Sequence, residues 1–209
     1  MLDLPTLSAF VAVVLGLFLI PGPAVLLVLT RTVQGGRKTG ILTGLGIAAG
    51  DFIHTLCAAV GLSALLMTSS TAFTVVKLAG AGYLVYLGLR AFFARSGAAA
   101  SERPSQAVTP WQAFLQAIPA EVLNPKTALF FLAFLPQFVQ PSKGPALPQF
   151  LALGLIFVVL SAVYTTAIVL LIKPIGRWVK RLTWLERWQG KIIGTIFISL
   201  GVKVATQQR

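Results

Sequence analysis

The chain has 209 residues, 56% of them hydrophobic and 11% charged, with a formal net charge of +12. A soluble domain carries roughly 25% charged residues, so this composition excludes an ordinary globular enzyme and points to a membrane protein. The basic residues fall between apolar segments, where they report topology; no nucleic-acid partner is expected, and the lipid bilayer is.

A membrane-spanning helix needs about 20 apolar residues. The first segment that qualifies, Leu7 to Leu29, carries Pro21-Gly22-Pro23 in its middle. Each proline lacks a backbone donor, which frees the carbonyls of Leu17 and Leu19, and Gly22 lets the chain bend. The N–H groups after the break form the positive end of a second half-helix. One break therefore offers acceptors for an ammonium and donors for a carboxylate, the two groups of an α-amino acid. A simple kink is the plainer alternative. Residues 1–23 do not read as a cleaved signal, because only Asp3 is charged ahead of the apolar run and prolines flank the would-be cleavage site.

The second segment, Gly40 to Met67, opens with Gly40, Gly44, Gly46 and Gly50. Spacings of four pair Gly40 with Gly44 and Gly46 with Gly50, which permits close helix approach. Internal packing is the favoured reading of these faces; a homodimer interface is the alternative. Asp51 follows, with His54 three residues on and nearly on the same face. Charged groups at membrane depth are costly and are functional candidates by default. Asp51 could bind a substrate ammonium, carry a proton, or pair with Lys126. His54 is a packing residue or a proton carrier. Cys57 is the only cysteine and allows no internal disulfide.

The third segment is Ala72 to Phe93. Residues 94–110 are rich in small residues, Ser and Pro and read as a cytoplasmic linker. The fourth segment, Trp111 to Leu135, repeats the signal of the first. Asn124-Pro125-Lys126 breaks it, with Glu121 one turn ahead. The fifth is Leu147 to Ile172, followed by an expected interfacial helix at 174–189. There Ile175, Trp178, Val179, Leu182 and Leu185 form an apolar stripe beside Arg177, Lys180, Arg181 and Arg187. The sixth is Ile192 to Ala205.

These segments predict an all-α membrane protein of six transmembrane helices, the first and fourth interrupted. The linker divides it into a first half, 1–93, and a second half, 111–209. Three is odd, so the second half enters the membrane in the opposite sense, and the two form inverted three-helix repeats if they are related. Three loop regions on one side carry twelve Lys and Arg, against four on the other. That bias puts both termini outside, in the periplasm of a bacterial inner membrane. Helix breaks at matching places in two halves point to a transporter's substrate site. The candidates are therefore Pro21, Gly22, Pro23, Asp51, Asn124, Pro125 and Lys126, with His54 and Glu121 in reserve. No metal-ligand cluster, nucleophile motif or phosphate-binding loop is present, so no cofactor is expected and an ion gradient is the remaining drive.

With these residues in hand, the chain resembles the LysE/RhtB family of bacterial amino-acid exporters, almost end to end. The resemblance rests on Ile20-Pro21-Gly22-Pro23, Gly50-Asp51, Lys77-Leu78-Ala79-Gly80, Tyr83-Leu84 and Tyr86-Leu87-Gly88. Asn124-Pro125-Lys126 with Phe130-Phe131, and Leu135-Pro136-Gln137-Phe138, complete it. It implies a secondary transporter, not an enzyme, that exports amino acids or close derivatives in exchange for protons. Asp51 and Asn124-Pro125-Lys126 match family positions; His54 and Glu121 stand on local chemistry alone. The rivals are a metal-cation exporter of the wider superfamily, which should show more acidic residues at midplane depth, and an intramembrane enzyme using His54.

Overall fold

The computed structural model of the chain describes residues 2–19, 22–68 and 108–179, with isolated helical positions between 71 and 93 and between 191 and 202. Every regular element among the described residues is helical. The expected third and sixth segments, most of the linker, Pro21 and the interfacial stretch beyond Val179 lie wholly or largely outside them.

Helix α1 spans Leu4–Leu19. Asp3 caps it, its carboxylate accepting the Thr6 N–H at 3.0 Å. The helix stops ahead of the proline pair, and α2 begins at Pro23, where a missing N–H costs nothing. Helix α2, Pro23–Thr68, has 46 residues, which as one rod would be about 69 Å long, more than twice the roughly 30 Å of a bilayer's apolar core. Gly36 breaks it, with φ 78° and ψ −178°, a conformation open to glycine. Its two arms press together just past the bend, for a Cβ on Gly40 would lie 2.0 Å from the Thr32 hydroxyl oxygen. The two arms of α2 are thus joined by a single glycine in place of a loop.

Helix α3, Pro110–Val122, opens with a reciprocal cap between Thr109 and Gln112. Pro110 is accordingly the first helical residue, and the linker ends one residue earlier than its composition implies. Helix α4, Pro125–Leu129, starts from Asn124 as its cap. It runs on through a π-helical turn, Phe130–Phe134, and a 3-10 turn, Leu135–Phe138, where Pro136 offers no N–H to Leu132. The arms 110–122 and 125–138 meet at 46°. Helix α5, Ala146–Val179, has 34 residues and passes through Pro174 unbroken. The interfacial helix expected to start at 174 is therefore, as far as Val179, the end of α5 and not a separate element.

Phenylalanines make the core at one end. Phe10 of α1, Phe130 and Phe131 of the π turn, and Phe150 and Phe157 of α5 are all buried, with the Phe130 and Phe157 rings 4.9 Å apart. The glycines of α2 do the rest. A Cβ on Gly44 would meet the Thr165 side chain of α5 at 2.6 Å, whereas one on Gly46 would come within 2.3 Å of the Phe114 carbonyl and one on Gly50 within 2.7 Å of Glu121 Cβ, both on α3. The two expected glycine pairs thus face two different neighbours inside this chain, and internal packing accounts for both.

Asp3 and Lys143 form an ion pair, and Gln140 donates to the Thr6 hydroxyl at 2.8 Å. Arg31 meets the Gln116 side chain at 2.9 Å. Two described helices, Pro23–Ala64 and Ala146–Leu171, are long and apolar enough to cross a membrane, and the bent pair makes a third.

Candidate functional site

The two breaks come together. Gly22, between α1 and α2, lies against Lys126 of α4, since a Cβ there would sit 3.3 Å from Lys126 Cδ and 3.6 Å from Nζ. Both residues line one cavity with Asn124, Asp51 and Glu121. Ala24 and Val25 of the first turn of α2 also line it, at the helix end whose N–H groups have no intrahelical partner. Of the sequence candidates, Gly22, Asp51, Glu121, Asn124 and Lys126 share the cavity. Pro23 and Pro125 open the two helices at its edge, and Pro21 lies outside the described residues.

The two carboxylates differ sharply. Glu121 is 3% exposed and well supplied with donors. Asn124 Nδ2 donates to both of its oxygens, at 3.2 and 3.1 Å, and the Thr127 hydroxyl donates to one of them. Asn124 also uses its side-chain oxygen to accept the Lys126 N–H at 3.1 Å. Glu121 is therefore built into the break of the fourth segment. Asp51 is 1% exposed, and neither of its carboxylate oxygens makes a hydrogen bond of good geometry; it has only loose contacts to the Ser161 and Glu121 side chains, with the Lys126 charge nearby. A buried polar group left without a partner costs about 1–3 kcal/mol, more if charged. Asp51 is the one group here that a bound cation or proton would satisfy. Gly50 makes the convergence of the two carboxylates possible by letting α3 approach at Glu121.

His54 does other work. Its Nε2 lies 3.2 Å from the Glu121 carbonyl oxygen, and its ring stacks on Phe131 with centroids 5.6 Å apart. It touches the broken end of α3 and is not among the residues that line the cavity.

The sequence reading missed the wall given by α5. Ser161, Tyr164 and Thr165 line the cavity, as does Thr127 of α4. Ser161 and Thr165, four apart in the fifth apolar segment, were the available signal. The Tyr164 hydroxyl donates to the Phe18 carbonyl at 2.5 Å, one of the acceptors left at the C-terminal end of α1. Its ring stacks on Phe18, centroids 5.1 Å apart. The cavity is about 30 Å³, room for one or two waters, so an amino acid enters only if these walls part.

A membrane protein whose interrupted helices converge on a buried polar cavity has the build of a secondary transporter. The chain matches the family described as LysE type translocator over residues 15–208, and it belongs to that family. It is 32% identical over 206 residues to the uncharacterized membrane protein YrhP of Bacillus subtilis, covering 95% of this chain and 97% of that one. It is 31% identical over 190 residues to the homoserine/homoserine lactone efflux protein of Salmonella typhimurium, covering 91% of each. To the leucine efflux protein of Klebsiella pneumoniae it is 29% identical over 197 residues, 92% of this chain and 91% of that one. No solved structure matches it.

Proposed function

We propose that this protein exports amino acids or close derivatives from the cytoplasm by proton antiport. In this reading it has six spans in the bacterial inner membrane, as two inverted three-helix halves with both termini in the periplasm. The observation that carries the site is Asp51, a buried carboxylate without a hydrogen-bond partner in a cavity that also holds Lys126 and the start of α2. A zwitterion fits this arrangement: its ammonium satisfies Asp51, and its carboxylate takes the Lys126 ammonium and the first N–H groups of α2. Between substrates, a proton on Asp51 does the same service, so one carboxylate can exchange the two cargoes. The names of the relatives, efflux proteins for homoserine and leucine, support the substrate class and the direction.

Everted vesicles offered a panel of labelled amino acids from outside, with and without a proton gradient, test this. Gradient-dependent uptake of at least one amino acid is expected. A panel that fails entirely while a divalent metal moves would make the protein a cation exporter. Alkaline phosphatase and fluorescent-protein fusions at Arg209 test the topology, and a fluorescent, phosphatase-negative C-terminus would overturn it.

A further inference from the structure

The Tyr164 hydroxyl, on the cavity wall, donates to a backbone carbonyl at the end of α1. An interrupted helix ends in carbonyls that lack intrahelical donors, and in transporters such carbonyls are cation ligands. α1 ends at Leu19, beside the cavity that Leu17 and Phe18 line. One of its terminal carbonyls, that of Phe18, is occupied by a donor from a different helix, the Tyr164 phenol at 2.5 Å. The same side chain closes the space. Tyr164 lies parallel to Phe18 with an interplanar angle of 19°, and Phe157 meets Phe18 edge-on at 5.2 Å. This aromatic wall helps to hold the cavity at about 30 Å³, too small for an amino acid.

We propose that Tyr164 is a positioning residue that holds the substrate-free cavity shut by donating to the Phe18 carbonyl, and that the ammonium of an incoming amino acid displaces it and takes over that acceptor. The inference rests on the zwitterion reading of the cavity. Tyr164 then acts as a competitor built into the chain. A ligand without a strong donor cannot displace it and meets a closed wall, so the residue selects for substrates that carry an ammonium. Asp51 supplies the charge that attracts that group, and the Phe18 carbonyl supplies its directional partner.

Tyr164→Phe keeps the ring and removes the donor. In the purified full-length protein, the equilibrium Kd for homoserine or leucine, whichever the wild type binds, should tighten about three- to tenfold, the worth of one net hydrogen bond no longer broken on binding. The wild type, which has three tyrosines, should show a tyrosine ultraviolet difference signal on saturation that Tyr164→Phe lacks. A lowered melting temperature with unchanged Kd and the same spectral signal in both proteins would make the contact a purely structural latch and overturn the proposal. A Tyr164→Phe protein that cannot fold would overturn it too, because a bond released in every cycle cannot be indispensable to the fold. A wild type that binds neither these nor any other amino acid would fail the zwitterion reading itself, and this inference with it.

Discussion

Asp51 and Glu121 share a cavity but should respond to neutralisation in opposite ways. Glu121→Gln replaces an oxygen that accepts with an amide that donates. The Thr127 hydroxyl can turn to accept from it, but Asn124 Nδ2, which donates to both oxygens, is a fixed donor because Asn124 Oδ1 is held by the Lys126 N–H. Hydrogen bonds to a charged group are worth about 1.5–3 kcal/mol each, and a donor left facing a donor loses its bond outright. One such loss, with weakening of the others, amounts to about 2–4 kcal/mol, or roughly 5–15 °C in melting temperature for a chain of this size. Asp51→Asn removes no well-formed hydrogen bond, only a loose contact to Ser161, so its stability cost should stay below about 1 kcal/mol. Transport should behave otherwise: if Asp51 exchanges ammonium for proton as proposed, Asp51→Asn should abolish gradient-driven export in a folded protein. Thermal unfolding of both variants in detergent, with export measured in vesicles, decides the matter. An Asp51→Asn protein as destabilised as Glu121→Gln, or one that exports at the wild-type rate, would refute the division of roles.

Further expectations follow from neighbouring contacts. If Asp51 serves only to neutralise Lys126, Asp51→Asn should destabilise by stranding a buried cation, and adding Lys126→Met should restore both folding and export; the functional assignment expects the double variant to fold and stay inactive in the vesicle assay. Gly46→Ala puts a methyl 2.3 Å from the Phe114 carbonyl oxygen and should cost about 1–3 kcal/mol, whereas Gly61→Ala meets nothing within 4 Å and should gain up to about 1 kcal/mol of helix propensity; melting temperatures of the two compare them directly. Lys143 and Thr6 hold the Asp3 carboxyl well below its ordinary 3.8, so the folded form is the one with the depressed value. The stabilisation is therefore present above about pH 4 and fades as pH falls below it; the difference in melting temperature between wild type and Asp3→Asn should shrink towards zero on acidification.

The local grammar of this protein was readable without a fold. Proline has no N–H, so Pro21-Gly22-Pro23 and Asn124-Pro125 marked the two breaks, and α2 and α4 do begin at Pro23 and Pro125, whereas the lone Pro119 and Pro174 sit inside α3 and α5 without ending them. Glycine spacing likewise foretold close packing at Gly40, Gly44, Gly46 and Gly50, since a missing side chain matters only where something fills its place. The single-residue turn at Gly36 was less visible, because Gly35-Gly36 between Gln34 and Arg37 looks like part of a loop. What each side chain does was decided in three dimensions. Asp51 and Glu121 are both acidic residues in apolar segments, and nothing local tells which will find donors; the bend after Val122 swings Asn124 and Thr127 onto Glu121 and leaves Asp51 with none. His54 became a brace for the Glu121 carbonyl because that bend exposes an acceptor beside it. Tyr164, an unremarked aromatic in an apolar span, became part of the site because α5 crosses the open end of α1 146 residues away in sequence. Backbone chemistry acts within a few residues and can be read from them. Hydrogen-bond partners and burial depend on which distant segments meet, and that only the packing of the helices decides.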